Sequence, residues 1–273
     1  MSNSMKRLSA FLSVLALLFI LCHADAKPRK NYDVYLLIGQ SNMAGRGEMT
    51  EADKIPMEGV WLLDAEGNIV PATAPLNRYS TIRKKAGVQK YSLGYSFALE
   101  MSKKSRRDIL LVVQARGGSG MRAWLQGAER KVFNKEEGDE PRLWGKEQPE
   151  YFTEAVRRTK QAMKYGKLKG ILWHQGEADA GVQSSAVYVE RLCAFVSDLR
   201  NCLGVSEKVP FVCGEVCRDY HRSGNINPEL NRAAALIPHA FCVSSEGCPS
   251  KSDKVHFSRE GCVIMGQRYA ECF

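Results

Sequence analysis

The chain has 273 residues, of which 44% are hydrophobic and 25% charged, and its 39 Lys and Arg exceed its 30 Asp and Glu for a net charge of +9. These proportions are ordinary for a folded globular protein, so they exclude collagen, a coiled coil and a disordered chain. A chain of this length buries a sizeable hydrophobic core without needing a metal or a disulfide.

The first residues predict a secretory signal peptide. Two basic residues precede the apolar run Ala10–Leu21, and Ala24-Asp25-Ala26 follows with the small side chains that signal peptidases require. The apolar run is shorter than the ~20 residues of a membrane-spanning helix. The alternative, a lipoprotein anchored at Cys22, lacks small residues just before the cysteine. We therefore expect a signal peptide at residues 1–26, cleavage after Ala26, and a secreted or periplasmic product of net charge +8 that is not held at a membrane.

The remaining chain alternates between patterns typical of strands and of helices. In chain order we expect a buried strand at Tyr32–Ile38, a strand at Val60–Leu63 entering a hairpin at Glu66-Gly67-Asn68, a helix at Leu93–Ser102, a strand at Ile109–Val113, a long loop at Arg116–Pro149, a helix at Tyr151–Tyr165, a strand at Gly170–Trp173, a helix at Val187–Leu203, a strand at Val209–Cys213, a helix at Leu230–Leu236, a strand at Phe241–Val243 and a helix at Arg259–Ala270. Such alternation favours a parallel sheet covered by helices on both faces. We find no internal repeat or low-complexity linker, so residues 27–273 are interpreted as one domain.

Glycines and polar residues follow three of these strands, at the edge where sites of parallel sheets gather. Gly39–Gly47 follows the strand at Tyr32–Ile38, Gly117–Gly120 the strand at Ile109–Val113, and His174–Asp179 the strand at Gly170–Trp173. Asp253–His256 precedes the last helix. Each block alone has a structural explanation, such as a helix cap at Ser41 or a turn at the paired glycines.

Together the blocks supply the groups that acyl transfer needs. A serine hydroxyl such as that of Ser41 becomes a nucleophile when a base takes its proton. Asp253 and His256 are three residues apart, so a short loop can place carboxylate and imidazole side by side. The developing oxyanion needs donors directed at it in advance. The available donors are the Ser41 amide, an amide of Gly117 or Gly118, and the side-chain NH2 of Gln175.

The blocks Gly39-Gln-Ser-Asn-Met-Ala-Gly45, Gly117-Gly-Ser119, His174-Gln-Gly-Glu-Ala-Asp179 and Asp253-x-x-His256 resemble, in order, those of the sialate O-acetylesterase and acetylxylan esterase family, within the SGNH hydrolase superfamily. The resemblance extends over essentially the whole chain after residue 26. It implies a three-layer α/β/α sandwich with a central parallel sheet, flavodoxin-like in topology. It also implies that no cofactor is needed and that the reaction is hydrolysis of acetyl esters on sugars such as sialic acid or xylan.

By position, the resemblance makes Ser41 the nucleophile, His256 the base and Asp253 its partner. The amides of Ser41, Gly117 and Gly118, with Gln175, resemble the oxyanion hole. The role of Glu177 stays open, because it either orients His256 in place of Asp253 or supports the site from outside.

The cysteines favour an exported protein. After residue 26 eight remain, all in the last third of the chain: Cys193, Cys202, Cys213, Cys217, Cys242, Cys248, Cys262 and Cys272. An even number in a secreted chain predicts disulfides, although the pairing does not follow from the sequence. A zinc site at Cys213 and Cys217 is the alternative, but no second pair has a matching spacing.

Other functions stay open at this stage. One is an inactive glycan-binding module of the same fold, and another is a metal-dependent hydrolase using His174, Glu177 and Asp179. The basic net charge does not by itself indicate a nucleic-acid binder, because no recognition motif accompanies it. The oligomeric state is not predicted.

The identity of the sugar is also open. Trp124 and Trp144, in the long loop, either stack on a sugar ring or anchor the loop, whereas Trp61 and Trp173 are expected in the core. Three arginines flank the blocks and could favour an anionic sugar: Arg46, Arg116 and Arg122.

Overall fold

A seven-stranded sheet forms the centre of the protein, and the computed structural model describes residues 31–83, 85–127 and 150–273. The strands are β1 Tyr32–Gly39, β2 Val60–Leu63, β3 Ile69–Pro71, β4 Ile109–Ala115, β5 Gly166–His174, β6 Phe211–Gly214 and β7 Ala240–Val243. They lie side by side in the order β3-β2-β4-β1-β5-β6-β7. The pairing is parallel throughout, except that β3 returns antiparallel to β2 in the expected hairpin.

Helices cover both faces of this sheet. They are α1 Ser41–Ala44, α2 Leu93–Lys104, α3 Tyr151–Ala162, α4 Val182–Ala186, α5 Tyr188–Leu203, α6 Ser223–Leu236 and α7 Arg259–Glu271. Short 3-10 helices occur at Glu51–Lys54, Leu76–Tyr79, Ala86–Val88, Met121–Trp124 and Glu177–Asp179. Helices α3, α5 and α6 pack into one core, and α2 and α7 pack into the other. The predicted three-layer fold is confirmed.

The central strand β1 shows why the sheet forms. Successive side chains of a strand point to opposite faces. Val34, Leu36 and Ile38 therefore enter one core, while Tyr35 and Leu37 enter the other. All of these side chains are buried, and complete burial of one aliphatic side chain contributes about 1.5–3 kcal/mol. A near-continuous apolar run is stable only in a strand that is covered on both faces.

Helix α6 begins at Ser223, seven residues before the predicted start at Leu230. Pro228 lies inside this helix, although it lacks the backbone N–H that would bond to the carbonyl four residues earlier. That carbonyl belongs to Gly224, which is exposed, so water can satisfy it. The proline is therefore tolerated near the beginning of the helix.

Trp124 anchors the loop that follows β4. Its side chain is fully buried, and its ring centroid lies 5.3 Å from those of both Tyr151 and Trp173. Of the two interpretations of Trp124, stacking on a sugar is excluded. Trp144 lies outside the described residues. Trp173 is in the core as expected, and Trp61 is partly buried against it.

The predicted disulfides are absent, because the eight cysteines of the described residues are free thiols. Cys193 and Cys202 are nine residues apart on α5, which separates them by about 13 Å, well beyond the Cα distance that a disulfide spans. The thiol of Cys213 donates weakly to the carbonyls of Leu230 and Phe241 instead.

Residues Asn31–Phe273 form one compact unit. The signal peptide and its cleavage stay predictions, since residues 1–30 lie outside the described part. Within that part, no helix combines the length and apolar character needed to cross a bilayer.

Candidate active site

The sequence blocks meet at the carboxyl ends of the parallel strands. Strand β1 lies between β4 and β5, so the chain segments that leave these three strands are neighbours at one edge. Because the strand order reverses beside β1, this edge is the topological switch point where α/β sheets form their sites. Ser41 begins the short helix α1 immediately after β1.

Gly39 makes the sharp exit from β1 possible. Its φ of +136° lies in a region that side chains rarely adopt, and a Cβ there would come within 2.1 Å of the carbonyl oxygen of His174. The same carbonyl accepts a hydrogen bond from the Gln40 amide at 2.9 Å, and the Arg116 amide donates to the Gly39 carbonyl at 2.9 Å. The ends of β1, β4 and β5 are therefore joined directly beneath Ser41.

Ser41, His256 and Asp253 form a continuous hydrogen-bonded chain. The Nδ1 atom of His256 lies 2.8 Å from Oδ2 of Asp253, and its Nε2 atom lies 2.9 Å from Oγ of Ser41. A carboxylate only accepts, so the imidazole proton resides on Nδ1 and Nε2 accepts from the serine hydroxyl. This geometry can remove the hydroxyl proton. The fold thus brings together the three predicted side chains, although Ser41 and His256 are 215 positions apart in the chain.

The loop that carries Asp253 and His256 is shaped by the carboxylate itself. Oδ1 of Asp253 accepts from the amides of Val255 at 3.0 Å and His256 at 2.9 Å, forming a side-chain turn. Partial burial acts to raise the pKa of Asp253, but the hydrogen bonds from the side chain and backbone of His256 and from the backbone of Val255 outweigh it and lower that pKa to about 2. Asp253 is therefore charged at neutral pH.

Three backbone amides at or near Ser41 have no hydrogen-bond acceptor among the described residues, so they are available to a substrate oxygen. The Ser41 amide lies at the start of α1, where helix N–H groups lack intrahelical partners. Within the described part of the chain, neither this amide nor those of Gly117 and Gly118 donates a hydrogen bond. Gly117 is close to the serine, since a Cβ on it would lie 3.8 Å from the Ser41 Cβ. The positions of these amides suit the predicted oxyanion hole.

Gln175 does not fit the oxyanion role that the sequence suggested. Its side chain is fully buried, and its Nε2 atom donates to Oδ2 of Asp179 at 2.6 Å, the Ser119 carbonyl at 3.1 Å and Oε1 of Gln40 at 3.2 Å. Its Oε1 atom accepts from Tyr188 at 2.9 Å. The NH2 group is thus occupied in joining the loops after β4 and β5.

Glu177 contacts Asn42 rather than His256, which answers the question left open by the sequence. Nδ2 of Asn42 donates to Oε1 of Glu177 at 2.6 Å. Burial, together with the charge of Asp179, raises the pKa of Glu177 to about 7 despite the hydrogen bonds from its own backbone, from Asn42 and from the backbone of Gly176. Of the two carboxylates, Asp253 is the one that contacts the His256 ring. Sequence reasoning overlooked Asn42, although it stands in the first block next to Ser41.

The side chains considered for a metal site have other partners. Nδ1 of His174 lies 3.0 Å from the Tyr269 hydroxyl, and burial lowers the pKa of His174 to about 3, so the ring is neutral. Asp179 accepts from the Met121 amide at 2.7 Å as well as from Gln175. In the described part of the chain, no three His, Cys, Asp or Glu side chains are placed to hold a metal ion.

A doubly wound sheet with such a site at its carboxyl edge is the architecture of SGNH-type ester hydrolases. A sequence model of the carbohydrate esterase, sialic acid-specific acetylesterase family matches residues 31–273. The chain belongs to this family, and it is accordingly a carboxylic ester hydrolase.

Individual relatives agree with this assignment. The chain is similar to the probable carbohydrate esterase At4g34215 of Arabidopsis thaliana, with 26% identity over 263 residues, covering 88% of this chain and 89% of the relative. The X-ray structure of that protein matches with a TM-score of 0.73 at 22% identity, covering 88% and 97% of the two chains. NanS matches with a TM-score of 0.62 at 17% identity, covering 89% and 96%. XAC1771, a carbohydrate acetylesterase from Xanthomonas citri, matches with a TM-score of 0.63 at 17% identity, covering 88% of this chain and 55% of that one. These structures share the fold.

Proposed function

We propose that this protein is a secreted serine esterase that removes O-acetyl groups from carbohydrates through an acetyl-enzyme on Ser41. The observation that carries the proposal is the unbroken hydrogen-bonded chain from Ser41 through His256 to Asp253. Secretion rests on the signal-like residues 1–26.

The reaction proceeds in two steps. His256 takes the proton of Ser41 while Oγ attacks the acetyl carbonyl, and the amides of Ser41, Gly117 and Gly118 hold the oxyanion. The tetrahedral intermediate collapses, and His256 protonates the departing sugar oxygen. A water molecule, deprotonated by His256, then attacks the acetyl-enzyme, and acetate leaves as Ser41 recovers its proton. Asp253 stabilises the imidazolium that forms in both steps.

The experiment is hydrolysis of an aryl acetate and of acetylated sugars by purified variants. Ser41→Ala and His256→Ala should each lower turnover by about 10⁵–10⁶-fold, by analogy with other serine hydrolases. A Ser41→Ala protein that keeps near-wild-type turnover would overturn the proposal. If the wild-type protein hydrolyses the aryl acetate but no acetylated sugar, the proposed serine mechanism stands and the proposed carbohydrate substrate is wrong.

Arg46 supports an acidic sugar as the substrate. Its Nη1 atom donates to the carbonyls of Gly45 at 2.6 Å and Val88 at 3.2 Å. A Cβ on Gly117 would lie 2.6 Å from Nη2 of Arg46, so the guanidinium and Ser41 flank the same glycine. No acidic side chain of the described residues pairs with Arg46, and burial lowers its pKa. A half-buried cation without a counter-charge beside the reacting serine favours a substrate that carries a carboxylate.

This substrate preference is testable with Arg46→Gln. A charge-assisted hydrogen bond contributes about 1.5–3 kcal/mol, so kcat/KM for an acetylated sialoside should fall about 10–100-fold. Activity on acetylated xylan oligomers should change less than about threefold. The matched control is Arg232→Gln, which removes an exposed arginine paired with Glu229. Equal losses on acidic and neutral sugars would contradict the role of Arg46 while leaving the esterase mechanism intact.

A further inference from the structure

The side chain of Asn42 connects the helix that begins with Ser41 to the backbone on both sides of His256. Its Nδ2 atom donates to the carbonyl of Val255 at 3.2 Å, and its Oδ1 atom accepts from the amide of Phe257 at 3.1 Å. Val255 and Phe257 are the two neighbours of His256 in the chain. A residue adjacent to one reacting group therefore holds the peptide segment that carries the other.

Glu177 determines which way this amide points. An asparagine side chain can be turned end over end, so its orientation follows from its partners. The Phe257 amide requires an acceptor, whereas the Val255 carbonyl and the carboxylate of Glu177 require a donor. The contact with Glu177, at 2.6 Å, is the shortest of the three. Both side chains are buried, Asn42 at 1% and Glu177 at 7% exposure, so water does not easily replace these bonds.

One oxygen of the Glu177 carboxyl group, Oε2, is buried and lacks a hydrogen-bond partner among the described residues. Keeping a carboxyl in such a place costs free energy, because a buried polar atom loses its water without compensation. A group retained at that cost, one hydrogen bond away from the loop of the base, points to a functional contact.

The loop that holds His256 needs such a contact because little of it is buried. Residues 251–256 are exposed or partly exposed, and Lys254 has a positive φ of 60°. A second link to the first block runs from Nζ of Lys251 to the Arg46 carbonyl at 3.2 Å, but it is partly exposed. Displacement of a reacting group by about 1 Å can cost 10²-fold in rate.

We propose that Asn42 and Glu177 are a pair of positioning residues that set the separation of Ser41 Oγ and His256 Nε2. Neither touches the substrate or the reacting atoms. The inference rests on the proposed serine mechanism, since it concerns the geometry of that same site. Loss of the pair should lower kcat much more than it changes KM, because the substrate contacts remain.

The test compares single variants with a swapped pair. Asn42→Ala should lower kcat about 10²-fold with less than a threefold change in KM. Asn42→Asp should be similar, because it places a second carboxylate against Glu177 and the Val255 carbonyl. Glu177→Gln keeps an acceptor oxygen and should stay within about fivefold of wild type. The double variant Asn42→Asp/Glu177→Gln restores the donor-acceptor pair between positions 42 and 177 with reversed polarity but still lacks a donor to the Val255 carbonyl. It should therefore recover about tenfold of the kcat lost by Asn42→Asp without reaching the wild-type value.

The matched control is Asn227→Ala. Asn227 is likewise buried, and its amide bonds to both the N–H and the carbonyl of Val216, at 2.9 and 3.2 Å. Its removal should lower the melting temperature without changing kcat of the folded protein. Should Asn42→Ala fail to fold, the rescue of Asn42→Asp by the second substitution still decides the matter.

Two results would overturn the inference. One is a kcat within threefold of wild type in folded Asn42→Ala or Asn42→Asp, and the other is a double variant no faster than Asn42→Asp alone. The Ser41→Ala variant separates this from failure of the proposed function. If Ser41→Ala is inactive while the Asn42 variants keep their kcat, only the positioning role is wrong.

Discussion

Replacement of Asp253 by Asn removes a charge beside His256 with little change of shape. The imidazolium that forms during the reaction would lie about 4 Å from the centre of that charge. At this distance, attraction is about 1 kcal/mol in water and about 4 kcal/mol at the effective dielectric of a protein surface. The Asp253 side chain is 45% exposed, so we set the attraction lost in the variant between these two values, at about 2–3 kcal/mol. At 1.4 kcal/mol for each factor of ten, loss of the charge alone should lower kcat roughly 10²-fold. The NH2 group introduced by Asp253→Asn would face Nδ1, because Oδ1 accepts from the amides of Val255 and His256, and it would lower kcat further by favouring the imidazole tautomer that cannot accept the serine proton.

The assay is aryl-acetate hydrolysis between pH 6 and 9, with acetylated sugars as a second substrate. Because the pKa of Asp253 is about 2, the carboxylate is charged over this whole range and its contribution should not titrate there. The control is Glu246→Gln, which removes a carboxylate that is 77% exposed and pairs with Arg218 rather than with His256. A folded Asp253→Asn protein with more than one third of the wild-type kcat would refute the electrostatic role. If Ser41→Ala were inactive at the same time, the error would lie in the part assigned to Asp253.

Three further predictions concern packing, an ion pair and a buried acid. Gly117→Ala adds a methyl that would lie 2.6 Å from the movable end of the Arg46 side chain. We expect kcat/KM to be about 10²-fold lower with little change in the melting temperature, and unaltered kinetics would contradict this. Arg259→Met removes the two bonds of 2.6 and 2.8 Å from the guanidinium to the Asp53 carboxylate, which is 4% exposed and keeps its bonds to the amide and hydroxyl of Thr50. The free energy of unfolding in urea should fall by about 3 kcal/mol, the low end for a broken buried pair, and an unchanged urea midpoint would show that the pair is not needed. Burial raises the pKa of Glu177 from 4.5 to about 7, so the folded state binds the proton more tightly than the unfolded state. The free energy of unfolding should therefore fall by on the order of 3 kcal/mol as pH rises between these two values. Glu177→Gln should flatten that fall, and an equally steep loss in the variant would assign it to another group.

Much of the fold follows from local patterns. A buried strand such as β1 is recognisable because its apolar run is continuous and ends in glycine, and helix α5 because its apolar residues recur at helical spacing. The hairpin from β2 to β3 was expected from the turn at residues 66–68. These features depend on neighbouring residues only, so the sequence contains them directly.

The close approach of His256 to Asp253 was also predictable, because only two loop residues lie between them and Asp253 accepts hydrogen bonds from the amides of Val255 and His256. The directions in which the side-chain amides of Gln175 and Asn42 point were not predictable. The Gln175 side chain turns towards Gln40, 135 positions away, and Asn42 turns towards Val255, 213 positions away. Which acceptor an amide meets depends on how distant loops pack, and residue type alone does not decide this.

The two halves of the site are therefore held by different forces. Ser41 follows a strand that is buried on both faces, and its position is maintained by apolar packing on each side of β1. His256 lies on a loop with few buried side chains. Hydrogen bonds connect this loop to the first block, between Asn42 and the neighbours of His256 and from Lys251 to the Arg46 carbonyl. Segments with few buried apolar contacts open more readily than the core. Substitutions in the core should thus reduce the amount of folded enzyme without changing kcat per folded molecule. Substitutions in the polar contacts should reduce kcat while most of the stability is kept, so measuring both quantities for each variant separates the two forces.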